Sequence, residues 1–78
     1  MTKAEQILNL IGTYGTAVID SNDGMIQNFR LSIDTYEVYD DSIRIFNLED
    51  AEFVIPLSPA LEVQGNVILC ENYQIRVE

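Results

Sequence analysis

Catalysis near neutral pH draws on nucleophiles, bases and metal ligands, and this sequence is poor in all three. Among 78 residues there is no histidine, one cysteine and one lysine. Without imidazole, a general base would have to be a carboxylate with a raised pKa. Cys70 lies in the apolar run Val67-Ile68-Leu69-Cys70. It has no imidazole partner, and the negative charge of the chain opposes thiolate formation. It reads as a small core residue that cannot form an internal disulfide. Zinc sites need Cys and His clusters. Asp20-Ser21-Asn22-Asp23-Gly24 has the composition of a calcium loop but not its register. With Gly24 as the loop's glycine, the first and last ligands would be Ile19 and Arg30. A turn explains these residues better. The expectation is a protein with no catalytic residue, no metal ligand and no cofactor.

Carboxylates are what remains. Thirteen Asp and Glu stand against four Lys and Arg, for a net charge of −9. The pairs Asp40-Asp41 and Glu49-Asp50 fall at predicted turns, where acids are common. Glycosidase-type chemistry needs two carboxyls facing across a cleft, and a chain this short has little room for one. The expectation is therefore not an enzyme. A surface this anionic repels phosphates and acidic lipids and attracts cationic partners, so neither direct nucleic-acid binding nor membrane binding is expected. Arg30, Arg44 and Arg76 are scattered singly and read as charge partners on solvent faces. There is no apolar run of membrane-spanning length, and Glu5 and Asn9 interrupt any signal-like start. A cytoplasmic location is the expectation.

One constellation combines acids with aromatics. Asp34-Thr35-Tyr36-Glu37-Val38-Tyr39-Asp40-Asp41 holds four carboxylates and two tyrosines without a cation, and Glu49, Asp50 and Glu52 follow. Alternate residues of a strand lie about 6.6 Å apart on one face, a spacing comparable with that of phosphates along a nucleic-acid strand. Asp34, Tyr36, Glu37, Tyr39, Asp40, Asp41, Glu49, Asp50 and Glu52 are thus the expected partner-binding residues. The carboxylates would pair with Lys and Arg of a larger protein, and the tyrosines would serve as rigid anchors. This points to an inhibitor or adaptor that occludes a basic surface of a larger protein, a nucleic-acid-binding groove being one candidate, a type that phages and mobile elements carry. Two other readings stand beside it. The continuous runs Phe53-Val54-Ile55 and Val67–Cys70 suggest strands covered on both faces, hence a homo-oligomer with Leu10, Val54 and Ile68 at its interface. A small-ligand pocket lined by Tyr14 and Tyr73, between helix and sheet or between subunits, is the other.

The elements that must position these residues are legible in outline. Ala4, Ile7, Leu8 and Ile11 form a helical stripe over about residues 3–12, with Thr2 and Glu5 as a capping box and Gly12 as a left-handed stop. Residues 15–78 read as β-structure. Ala17 and Ile19 alternate with Thr16, Val18 and Asp20, and Phe29, Leu31 and Ile33 alternate with polar neighbours; Tyr36 and Val38 fall on the other parity, which predicts a bend near Asp34-Thr35. Strands over 42–48 and 51–55 follow, with Ile43 and Ile45 inward and Arg44 outward, and Pro56 closes the second. A three-strand meander over 61–77 turns at Gly65-Asn66 and Glu71-Asn72. The fold class is α+β in one domain: a short N-terminal helix, then a bent antiparallel sheet or small barrel of six to seven short strands.

Overall fold

The apolar stripe folds as predicted. In the computed structural model, which describes residues 2–78, helix α1 spans Lys3–Thr13 with Ile7 and Ile11 buried and Ala4 and Leu8 packed beside them. Its N-terminus carries the reciprocal capping box: the Glu5 N–H donates to Thr2 Oγ1, and the Thr2 N–H donates to Glu5 Oε1, each at 3.1 Å. The Thr2 N–H at its carboxylate, and then the Thr2 side chain, favour the ionised Glu5 and hold its pKa below the ordinary value. The helix does not stop at Gly12. It runs one residue further because the Thr13 hydroxyl donates to the Asn9 carbonyl and the Tyr14 N–H donates to that of Leu10. With those end carbonyls satisfied and Tyr14 extended, no left-handed cap is required.

Eight strands follow, in two antiparallel sheets that do not close into a barrel. They are β1 (Thr16–Ser21), β2 (Phe29–Ser32), β3 (Thr35–Val38), β4 (Ser42–Phe46), β5 (Glu52–Pro56), β6 (Glu62–Gln64), β7 (Val67–Leu69) and β8 (Tyr73–Val77). The larger sheet has the order β2-β1-β8-β7-β6, and the smaller has β3-β4-β5. The extra strand arises at the predicted bend, which is a change of sheet. The Ile33 N–H bonds the Gly15 carbonyl beside the larger sheet, and the next amide, of Asp34, bonds the Phe46 carbonyl of the smaller. The chain thus leaves one sheet and enters the other across a single peptide, which inverts the inward parity from Leu31 to Tyr36.

Both sheets and the helix share one core. The larger sheet contributes Ala17, Ile19, Leu31, Ile68, Ile75 and Val77; the smaller contributes Ile43, Ile45 and Ile55. Helix α1 lies against β6. An edge-to-face contact between Phe53 and Tyr73, with centroids 5.3 Å apart, ties β5 to β8. Val18 departs from strict alternation. It is buried although it shares the outer face with Arg30 and Arg76, its register neighbours on β2 and β8. Both arginines ion-pair with Glu78, which holds their aliphatic stems beside Val18.

The Glu78 carboxylate is held below its ordinary value of 4.5, first by the hydrogen bond from Arg30 and then by the charges of Arg30 and Arg76. A depressed carboxylate stabilises the fold above the unfolded pKa and loses that contribution as the pH falls through the folded pKa. Glu78→Gln is accordingly expected to be less stable than the parent at pH 7. The gap between the urea midpoints of the two proteins should close progressively as the pH falls below the ordinary value of 4.5. A gap that did not narrow through acid titration would rule out an ionic origin.

The β4–β5 turn rests on a residue that composition does not flag. The Asn47 side-chain carbonyl accepts from the N–H groups of Glu49 and Ala51, at 2.9 Å each, while the Asp50 N–H bonds the Asn47 backbone carbonyl. Asp50 takes a positive φ of 62° there. Asn47→Ala strands two turn amides and is expected to cost about 1 kcal/mol, read as a lower urea midpoint at unchanged slope.

Candidate functional site

The nine expected partner-binding residues all fall on the smaller sheet and its turns, but not on one face. Strand register puts Tyr36 opposite Ile45, on the side that looks toward the core, while Glu37 lies opposite Arg44 on the other side. Tyr39 continues the parity of Glu37 and stacks with Arg44, whose guanidinium carbon stands 4.6 Å from the ring centroid. The two tyrosines therefore address opposite faces of β3, and a single flat interface cannot use both at its centre.

The carboxylates divide between the two ends of the sheet. Asp34, Glu49, Asp50 and Glu52 gather where β3 begins and β4 turns into β5. Asp40 and Asp41 occupy the two-residue β3–β4 turn, closed by the Tyr39 N–H to the Ser42 carbonyl. Strands of four or five residues set the ends about 17 Å apart. Between them the outer face has contacts of its own. Arg44 Nη1 sits 3.7 Å from Glu52 Oε2, and the Tyr39 hydroxyl donates to Glu37 Oε1 at 2.7 Å. That bond, with burial and the Glu37 charge behind it, raises the Tyr39 pKa. Glu37 and Glu52 are thus engaged within the sheet, while Asp34, Asp40, Asp41, Glu49 and Asp50 make no ion pair among the described residues.

Sequence reasoning missed two members of this surface. Leu48, placed in a strand, stands on the β4–β5 turn between the acids and is 83% exposed. Val38 is half exposed on β3. Arg44, expected outward as a charge partner, pairs there with Glu52, and its buried Nε has no hydrogen-bond partner among the described residues. The signal for Leu48 was present in Asn47-Leu48-Glu49-Asp50, where an apolar residue in an acidic turn has nowhere to be buried.

The residues named for the other readings meet expectation only in part. Ile68 is fully buried in the core and cannot meet a second copy; Leu10 is partly buried against that core, and Val54 is exposed on the outer face. Tyr73 lines an open groove of about 600 Å³ with Ser21, Asn22, Asp23, Met25, Ile26 and Asn72, but Tyr14 is not part of it. The groove lies between the β1–β2 loop and the β7–β8 turn, not under the helix. Asp23 and Asp20 are spent on that loop's own geometry. Asp23 Oδ1 accepts from the Ser21 hydroxyl and the Met25 amide, which lowers its pKa, and Asp20 Oδ1 accepts from the Asn28 amide. Cys70 is half buried, and desolvation raises its pKa, which keeps it a thiol at neutral pH. No helix among the described residues is long and apolar enough to cross a membrane. Comparison with family models, curated proteins and solved structures finds no match to this chain.

Proposed function

We propose that this protein is a small non-enzymatic binding protein that occludes a basic surface of a larger partner, as an inhibitor or adaptor. The supporting observation is where the charge lies. Residues 34–52 carry seven carboxylates and one arginine, so six of the nine net negative charges belong to one three-stranded sheet and its turns. Two anionic ends about 17 Å apart are separated by roughly two to three times the spacing of neighbouring phosphates along a nucleic-acid strand, so a groove built for phosphates could accept both. The half-exposed Tyr36 and Val38 and the protruding Leu48 supply apolar area beside the charges. The mechanism is occupancy: Asp40-Asp41 and Asp34/Glu49-Asp50 pair with Lys and Arg, and steering by the negative sheet speeds encounter.

The test is capture from the native host's lysate at low ionic strength, followed by identification and a salt series on the purified pair. The captured protein should carry a cationic surface, release into heparin, and bind at least about tenfold more weakly at 500 mM than at 50 mM salt. A complex indifferent to both salt and heparin would remove the electrostatic account.

A further inference from the structure

We propose that the partner docks by adding an extended, basic segment as a fourth strand on the open edge of β3; this rests on the reading of the smaller sheet as the partner-binding surface. All four residues of β3 are exposed, and among the described residues nothing pairs with its outer side. The ladder fixes which groups are available there. The Tyr39 N–H bonds the Ser42 carbonyl, so residues of that parity, Thr35 and Glu37, face β4. Tyr36 and Val38 then direct their N–H and C=O groups to the open edge, four unpaired backbone groups in a row.

The other edges are less suited to a cationic guest. On β5 the same reasoning from the Asn47 N–H to the Ala51 carbonyl sends Pro56 outward, where it has no N–H to give. Edge strand β6 has three residues, of which only Val63 faces out. On β2 the outward positions are Arg30, paired with Glu78, and Ser32, so that edge offers no carboxylate of its own to a cationic guest. By contrast, β3 has Glu37 in its middle, Asp34 before it and Asp40-Asp41 after it.

Side chains define the guest. Tyr36 and Val38, 48% and 51% exposed, form an apolar strip on the core-side face that an incoming aliphatic or aromatic residue would cover. The alternate guest residues meet Glu37 and the flanking aspartates, which calls for Lys or Arg. A second copy of this chain fits badly. Antiparallel self-pairing with Tyr36 opposite Val38 sets Glu37 against Glu37 and Asp34 against Asp40.

The experiment titrates isotope-labelled protein with a ten-residue peptide of alternating lysine and valine, and with the same peptide N-methylated along one edge, at low salt. The unmodified peptide should protect the Tyr36 and Val38 amides from hydrogen exchange, and N-methylation should weaken binding at least about tenfold. Val38→Pro removes an outward N–H without touching the β3–β4 ladder or the net charge, and should weaken the unmodified peptide by a similar factor. Equal affinity for both peptides with no amide protection overturns strand addition while leaving a salt-sensitive acidic surface standing. Failure of both peptides to bind at low salt overturns that surface reading as well. A dimer in solution that Val38→Pro dissociates overturns the choice of guest.

Discussion

Ile45→Ala is expected to cost about 2–5 kcal/mol and to leave the protein largely unfolded at 37 °C. Ile45 lies at the centre of β4, the middle strand of the smaller sheet, and is 1% exposed. That sheet holds the core through three fully buried side chains, Ile43, Ile45 and Ile55, with Phe53 half buried beside them. The larger sheet brings twice as many. Truncation leaves a cavity where the smaller sheet has least to spare, and a domain of this length has a stability of only about 4–12 kcal/mol. Amide exchange should accelerate first in β3, β4 and β5, ahead of β1 and β8. The outer-face control, Val54→Ala, should cost less than about 1 kcal/mol. Denaturation midpoints would settle it: an Ile45→Ala protein within 1 kcal/mol of the parent would mean that the smaller sheet is not held by this contact.

The core was legible because isoleucine spacing carries it. Ile43 and Ile45 flanking Arg44 gave β4 its inward face, and Ile7 with Ile11 gave the helix its stripe. What alternation could not convey is which sheet a face belongs to. Phe29-Arg30-Leu31 and Tyr36-Glu37-Val38 are both good alternating triplets, and the inversion between them reads equally as a bulge in one strand or as a passage between two. Only the partners of the Ile33 and Asp34 amides, far off in the chain at Gly15 and Phe46, decide it. The same limit governed the candidate site. Residues 34–52 were recognisable as the acidic stretch, since like charges close in sequence stay close on a hairpin. Their division between two ends, and the separation of Tyr36 from Tyr39, follow from turn positions and register. Val18 shows a further failure of local pattern: arginines on β2 and β8, joined by Glu78, bury a residue whose neighbours in sequence point it to solvent.

The division of charge yields the larger functional prediction. Neutralising both ends at once, with Asp40→Asn, Asp41→Asn, Glu49→Gln and Asp50→Asn, takes the net charge from −9 to −5 and removes carboxylates that make no ion pair among the described residues. The fold should survive, because these turns rely on backbone bonds and on Asn47, and asparagine tolerates the positive φ of Asp50. Exposed pairs are worth about 0.2–1 kcal/mol each, so four lost pairs predict a complex with the captured partner roughly 4- to 700-fold weaker at 50 mM salt. The loss should lie mainly in the association rate, as charges at a rim act through steering. At about 1 M salt the screening length falls to about 3 Å, and parent and variant should converge. Neutralising one end alone should lose about half the free energy if both ends touch the partner. If Asp40→Asn/Asp41→Asn matched the full loss and Glu49→Gln/Asp50→Asn had no effect, the contact would be confined to the β3–β4 turn. A variant that bound as tightly and as fast as the parent at low salt would show that the acidic turns do not face the partner at all.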